Sequence, residues 1–186
     1  QVLCWGQNDF GQLGDGTNQQ SLGPLVVDSL SGIGSVTVGV GHTCALENGG
    51  EVFCWGANGY GKLGLGDEAD RLLPEKIPSF DGVTSLCAGV HFTCAARTDG
   101  TVYCWGSNMH GQIGDGTFED RWTPTLVVGL SEVQKLSCGR SFACAIKTDS
   151  SLWCWGDNAY GQLGDGTAED ATSPVEVVVG TGSSQP

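Results

Sequence analysis

Nine cysteines are the residues of clearest chemical interest in this sequence of 186 amino acids, because thiols form disulfides or bind metal ions. A zinc site groups four ligands at short spacings, and the regular gap of ten positions found here does not suit one. The gap instead predicts disulfides, which persist in oxidising compartments, and hence an extracellular or cell-surface location. The predicted pairs are Cys44 with Cys54, Cys94 with Cys104, and Cys144 with Cys154.

Carboxylates are the second group that could do chemistry, since acids crowded on a loop can bind Ca²⁺. Their spacing matches no calcium-binding loop, so calcium is disfavoured and neither a metal nor another cofactor is predicted. Arg71 and Arg121 follow two of the acidic clusters and are placed to pair with them. The acids are Asp15, Asp67, Asp115 and Asp165, with the neighbouring pairs Glu68/Asp70, Glu119/Asp120 and Glu169/Asp170.

Periodic aromatic residues form the third group. A row of tryptophans can stack on sugars or bases, but the fixed place of each one beside a strand cysteine favours packing in the structural core. These residues are Trp5, Trp55, Trp105 and Trp155. The three histidines, His42, His91 and His110, share no repeat position, and no catalytic arrangement can be built around them. An enzyme is therefore not predicted.

The hairpin cysteines and the periodic tryptophans belong to a repeat of 50 positions. The same step separates Gly11, Gly61, Gly111 and Gly161, and no insertion interrupts it. A period of this length indicates a supersecondary unit that buries its apolar surface by stacking on copies of itself.

Each unit contains four predicted strands. In the clearest copy, Val36 to Val40 and His42 to Leu46 alternate in polarity, and Glu51 to Trp55 returns after a turn as a third strand. A glycine-rich loop, Gly56 to Asp67, precedes a short outer strand, Glu75 to Ile77, which borders Pro74 as an edge strand should. Four-stranded antiparallel units at this spacing predict an all-β fold, the β-propeller. A helical solenoid is excluded because no long segment has a 3.6-residue period.

The predicted propeller, residues 1–179, contains about three and a half blades. It consists of a half-blade at 2–28 and full blades at 33–78, 83–128 and 133–179. Because propellers typically close with 4–8 blades, we expect a partial or open ring that belongs to a larger ring or assembly. Residues 180–186 have the composition of a flexible linker or the start of a stalk.

The strand pairing also assigns the cysteines to faces of the sheets. If the opposed residues of the hairpin are those whose numbers add up to 98, Cys44 lies opposite Cys54, close enough to form a disulfide. Cys4 would pair ten residues before Gln1, so we expect it to be unpaired or bonded to another segment. Cys87 and Cys138 face opposite sides of successive blades, which allows either a bridge between blades or two buried thiols.

The charge of the chain narrows its partners. Twenty-one acidic residues against eight basic ones give a net charge of −13. An acidic surface without a Lys/Arg cluster repels phosphate backbones, so nucleic acid is not a predicted partner. No apolar run of 18 residues is present, and membrane insertion is not predicted.

The motif Cys-Trp-Gly-x-Asn-x-x-Gly-Gln-Leu-Gly-Asp-Gly-Thr, best seen at 4–17 and 154–167, resembles the repeats of the regulator of chromosome condensation family, as does His-Thr-Cys-Ala-Leu at 42–46. The resemblance covers nearly the whole chain and implies a seven-bladed propeller. It implies no single activity, since similar members include an exchange factor for the Ran GTPase, a plant ultraviolet-B receptor and a secreted β-lactamase inhibitor. The tryptophan motif of the photoreceptor is replaced here, for example by Gly39-Val40-Gly41-His42-Thr43, which argues against light sensing.

These observations predict an extracellular, disulfide-stabilised propeller scaffold that binds a protein partner or copies of itself. Binding is expected through the variable loops, with Phe118 and Trp122 as anchors and with Arg71 and Arg121 nearby. Two alternatives stay open: guanine nucleotide exchange on a small GTPase, and carbohydrate binding by the same loops.

Overall fold

The structure is a computed structural model that describes residues 1–178, and the predicted linker at 180–186 lies outside these residues. Fourteen strands form one two-stranded and three four-stranded antiparallel sheets, joined by loops in which one short 3₁₀ turn occurs at Gly59–Gly61. The strands are β1 (Leu3–Gly6), β2 (Ser21–Val26), β3 (Ile33–Val38), β4 (His42–Glu47), β5 (Val52–Gly56), β6 (Arg71–Lys76), β7 (Val83–Ala88), β8 (Phe92–Arg97), β9 (Val102–Gly106), β10 (Arg121–Leu126), β11 (Val133–Cys138), β12 (Phe142–Lys147), β13 (Leu152–Gly156) and β14 (Ala171–Glu176).

The sheets are the blades of a propeller, and the all-β prediction of about three and a half blades is confirmed. Strands β1 and β2 form the half-blade, and β3–β6, β7–β10 and β11–β14 form the first, second and third blades. Within each full blade the strands pair in chain order. The innermost strands β3, β7 and β11 contact one another in succession, so the blades lie face to face. We call the three contacts between successive units the first, second and third junctions, counted from the half-blade.

The hairpin register agrees with the sequence prediction, because Cys44 pairs with Cys54 and Leu46 with Val52. The outer strand differs from the prediction. β6 begins at Arg71, before Pro74, whereas the expected strand began after the proline. β6 is an edge strand, and an edge strand tolerates a proline because its outer side has no neighbouring strand that needs a backbone N–H donor. The register between β5 and β6 also shifts between Cys54 and Gly56.

Apolar side chains pack between neighbouring blades. Trp105, for example, lies in one cluster with Leu63 and Ile77 of the first blade. Trp55, Trp105 and Trp155 are all fully buried, in agreement with their predicted place in the core.

Trp5 contradicts the same prediction, since it is 60% exposed. Its three counterparts lie under the loop of the preceding unit, and residues 1–178 contain no such loop for Trp5. The neighbouring surface is also open: Trp5, Val36 and Val38 line a groove of about 550 Å³ between the half-blade and the first blade. Inner strands cover the corresponding surface in the full blades.

Within residues 1–178, no helix is long and apolar enough to cross a membrane.

Candidate functional site

The variable residues of the chain lie on one group of loops, which connect the third and fourth strand of each unit. We call the surface formed by residues 7–20, 57–70, 107–120 and 157–170 the loop face. Because a stable sheet carries each loop, this face combines sequence variation with a fixed frame.

A buried asparagine organises each of these loops from within. Asn58 is fully buried, accepts a hydrogen bond from the Leu63 backbone N–H at 2.9 Å and donates to the Asp67 carbonyl at 2.9 Å. The amide therefore ties both halves of the loop together. Asn8, Asn108 and Asn158 accept the same hydrogen bond from residue i+5.

The first three of these loops also cover the periodic tryptophan of the next blade. The indole Nε1 of Trp105 donates to the Lys62 carbonyl at 3.0 Å. Gly64 allows this approach: its φ is +77°, and a Cβ there would stand 2.8 Å from the Trp105 Nε1. Trp55 and Trp155 repeat the contact with the carbonyls of Gln12 and Gln112. With these indoles fully covered, the stacking surface considered for sugars is removed.

The repeated carboxylates serve the loops themselves. Asp115 and Asp165 each accept a hydrogen bond from the backbone N–H two residues later, at 3.0 and 2.9 Å. Asp67 does the same for Ala69 and also pairs with the Arg71 guanidinium at 2.7 Å, which lowers the pKa of the Asp67 carboxyl.

The arginines predicted near the binding surface are occupied in the same way. Arg71 forms ion pairs with Asp67 and Glu75. Arg121 pairs with Asp115 at 2.6 Å and with Glu119 at 3.3 Å. Both guanidinium groups thus pair with acids of their own blades, and their contribution to binding stays a prediction.

The predicted anchors remain available to solvent. Phe118 is 58% exposed and Trp122 is 47% exposed. Trp122 packs over Gly61 of the first blade, where a Cβ would stand 2.5 Å from the indole Cδ1, and Gly61 follows the half-exposed Tyr60. Aromatic surface from two blades is therefore presented side by side at the border of the loop face.

A buried polar contact crosses the second junction. His42 lies in the first blade, and its Nε2 is 3.1 Å from Oγ1 of Thr93 in the second. The Thr93 hydroxyl donates to the Lys62 carbonyl at 2.9 Å, so the hydrogen between Thr93 and His42 belongs to the imidazole Nε2. Burial, together with the positive charge of Lys62, lowers the pKa of His42 to about 3. The imidazole is consequently neutral at ordinary pH.

The third junction carries a different set of ionisable groups. His110 Nδ1 lies 2.9 Å from Asp170 Oδ2, and His110, Asp157 and Asp170 each bring a ligand atom within 4.8 Å of the other two. Sequence analysis missed this cluster because its members come from two loops. The signal was present, since His110 stands where the other units have Phe10, Tyr60 and Tyr160.

Sulfur joins the strands of each full blade. Cys44 and Cys54, Cys94 and Cys104, and Cys144 and Cys154 are bonded, each pair with its Cα atoms 4.1 Å apart. Cys87 of β7 is bonded to Cys138 of β11, with a Cα separation of 5.4 Å, so the third junction is crossed by a disulfide. Cys4 is half-buried and makes no disulfide within the described residues.

Comparison with known families agrees with this architecture. The model of the regulator of chromosome condensation (RCC1) repeat matches residues 1–46, 49–96, 99–146 and 149–184, which is nearly the whole chain. The chain belongs to the RCC1 repeat family. A second model of the RCC1 repeat matches residues 35–62, 83–112 and 133–162.

Solved RCC1-like structures share the fold. Human WBSCR16 superposes with a TM-score of 0.85 at 25% identity, over 96% of this chain and 48% of that one. Prp20p of Saccharomyces cerevisiae, whose structure was described with its binding to Gsp1p and histones, gives 0.84 at 21% identity over 96% and 46%. Yeast RCC1 (Prp20) bound to Kap60 gives 0.57 at 20% identity over 96% and 57%. This chain thus spans about half the length of the proteins it matches.

Proposed function

We propose that this RCC1-repeat chain is a non-catalytic scaffold of the extracellular space that binds a protein partner through its loop face. The observation that carries the proposal is the exposed aromatic pair Phe118 and Trp122. Phe118 lies on a loop that Asn108 and Asp115 shape by hydrogen bonds, and Trp122 lies at the start of the strand that follows it. Large aromatic residues on a rigid frame are typical anchors of protein interfaces, since they bury much apolar area with little loss of conformational entropy.

The charge of the chain indicates the chemistry of the partner. A net charge of −13 favours a partner with a basic rim around an apolar pocket for the aromatic pair. Because exposed charges are screened by salt, association should slow as ionic strength rises, while the aromatic contact keeps the complex together.

The cysteines support the extracellular part of the proposal. Eight of the nine cysteines are bonded in the structure, and such a density of disulfides is typical of oxidising compartments. The test is peptide mapping of protein from its natural source, alkylated before lysis and digested without reduction. Free thiols at Cys44, Cys54, Cys94 or Cys104 would contradict the extracellular assignment.

The binding face is tested by F118A/W122T, which places on the second blade the residues that the third blade carries at Ala168 and Thr172. The matched control is L72T, because Leu72 of the first blade occupies the repeat position of Trp122. Wild type, F118A/W122T and L72T are each cross-linked to extracellular fluid of the source organism, and captured proteins are quantified by mass spectrometry.

A protein retained by wild type and by L72T but lost by F118A/W122T would support the proposal. Identical profiles for all three chains would overturn it. Sedimentation of the purified chain distinguishes the remaining case: a dimer that dissociates only in F118A/W122T identifies a second copy as the partner.

The two alternatives receive less support from the geometry. The similarity to Prp20p is 21% in identity and shows the fold alone, and buried indoles remove the regular stacking platform for carbohydrate.

A further inference from the structure

The third junction brings together three ionisable side chains from two blades. His110 comes from the loop of the second blade, and Asp157 and Asp170 begin and end the loop of the third. One ligand atom from each lies within 4.8 Å of the other two. His110 and Asp157 are partly buried, whereas Asp170 is exposed. Nitrogen and carboxylate oxygen at such separations can approach a single ion with small side-chain movements.

The equivalent positions of the other junctions show that the repeat does not require this set. The second junction has Tyr60, Ser107 and Asp120 in these places, and the first has Phe10, Ala57 and Asp70. The shared aspartate has a structural task, since Asp170 Oδ1 accepts a hydrogen bond from the Asn158 N–H at 2.8 Å, just as Asp120 does for Asn108 at 2.7 Å. Only at the third junction do an imidazole and a second carboxylate join it.

Each carboxylate has an oxygen to spare after these structural bonds. Asp157 Oδ1 accepts from the Ala159 N–H at 3.1 Å, and Asp170 Oδ1 is used by Asn158. Asp170 Oδ2 faces the His110 Nδ1 at 2.9 Å. Two carboxylates close together repel each other, and a bound cation would remove that repulsion while using the imidazole as a neutral ligand.

We propose that His110, Asp157 and Asp170 bind one Zn²⁺ ion across the third junction. Zinc accepts imidazole nitrogen and carboxylate oxygen, whereas Ca²⁺ and Mg²⁺ prefer all-oxygen sites. Three protein ligands leave one tetrahedral position for water. The ion would clamp the loop of the second blade to the loop of the third.

The test is titration calorimetry with ZnCl₂ on the full chain after removal of metal by a chelator. All chains carry C4S, so that the Cys4 thiol does not compete for zinc. We expect one Zn²⁺ per chain, no binding of Ca²⁺ under the same conditions, and an X-ray absorption spectrum with nitrogen and oxygen ligands but no sulfur.

Matched variants come from the repeat itself. H110Y and D157S install the residues of the second junction, and each is expected to weaken Zn²⁺ binding at least tenfold. H91A, which removes a histidine outside the cluster, is expected to leave binding unchanged. Melting curves recorded without metal check that H110Y and D157S remain folded.

A gain-of-site variant sharpens the assignment. Y60H/S107D completes the same three positions around Asp120, and the stoichiometry should rise from one ion to two. Absence of saturable Zn²⁺ binding, or equal affinity in wild type, H110Y and D157S, would overturn the proposal and leave only the hydrogen bond between His110 and Asp170.

Discussion

The second and third junctions join blades of the same design by different means. At the second junction a buried polar contact joins the blades, with His42 of the first blade hydrogen-bonded to Thr93 of the second. At the third, Phe92 and Ala143 take those two places, and the Cys87–Cys138 disulfide links the inner strands. Thr37 and Ala88 occupy the cysteine positions of the second junction. One repeat thus tolerates either a titratable contact or an apolar contact with a covalent link.

The largest expected effect comes from removing that covalent link. C87T/C138A transfers the second junction's residues to the third and opens a bridge that spans 51 residues. Loop-closure entropy predicts a loss of about 4 kcal/mol in the free energy of unfolding. Urea denaturation measures it, with the hairpin variant C94S/C104S as control. That control opens a separation of only 10 residues and should lose about 3 kcal/mol. A smaller loss of stability for C87T/C138A than for C94S/C104S would contradict the prediction that the bridge across the third junction stabilises the chain more than a hairpin bridge does.

The second prediction concerns the pH dependence of the second junction. His42 has a pKa of about 3 in the folded chain, well below its ordinary value, so the unfolded chain binds the proton first as pH falls. The stability that depends on a neutral His42 is fully present above about pH 6.5 and is lost progressively as pH falls toward 3. Between pH 6.5 and 4.5 the free energy of unfolding should fall by about 2 kcal/mol.

H42F, which copies Phe92 and Phe142, removes this titration. Urea denaturation of wild type and H42F across that range compares the two slopes. Parallel slopes would show that the imidazole is not neutral and buried in the fold.

A third variant gives the second junction the covalent link of the third. T37C/A88C places cysteines one repeat before Cys87 and Cys138, and the equivalent strands β3 and β7 are in contact. Because engineered bridges commonly give less than loop entropy predicts, we expect a gain of about 2 kcal/mol. Denaturation with and without reductant checks it, and mass spectrometry verifies the new bond. An oxidised variant with unchanged stability would show that the two junctions are not geometrically equivalent.

The smallest effect is expected from T93A, which copies Ala143. The His42 Nε2 and the Lys62 carbonyl each lose a hydrogen-bond partner, at a cost of about 1–2 kcal/mol. In H42F/T93A the unpaired imidazole is gone, so the double variant should lose less than the sum of the single ones. Additive losses in the denaturation series would contradict the direct coupling of His42 and Thr93.

Much of this fold could be predicted because each unit repeats the same local sequence pattern. Alternating strands, turns and opposed cysteines recur every 50 residues, so the register of Cys44 with Cys54 follows from one copy and is repeated in the others. Trp5 shows where this reasoning fails. Its residue type predicts burial, but its exposure depends on a neighbour that the pattern of its own unit does not contain.

The candidate sites were harder to predict than the frame. Phe118 and Trp122 were predicted as anchors because aromatic residues stand out in a polar segment; the structure confirms their exposure, and their binding role stays a prediction. The pairing of Arg71 and Arg121 with neighbouring acids was predicted from their positions and is confirmed, whereas their role in binding stays a prediction. The His110 cluster depends on residues up to 60 positions apart, and only the packing of two blades brings them together.

Each buried indole is covered by a loop that precedes it in the sequence. The Gln12 carbonyl and Gly14 that receive Trp55 come about forty residues before it in the chain, and the same order holds for Trp105 and Trp155. Since a ribosome makes the amino end first, the surface that will receive each tryptophan already exists when that tryptophan is added. The chain can therefore fold blade by blade from its amino end, and these indoles need not stay exposed until a later part of the chain is made.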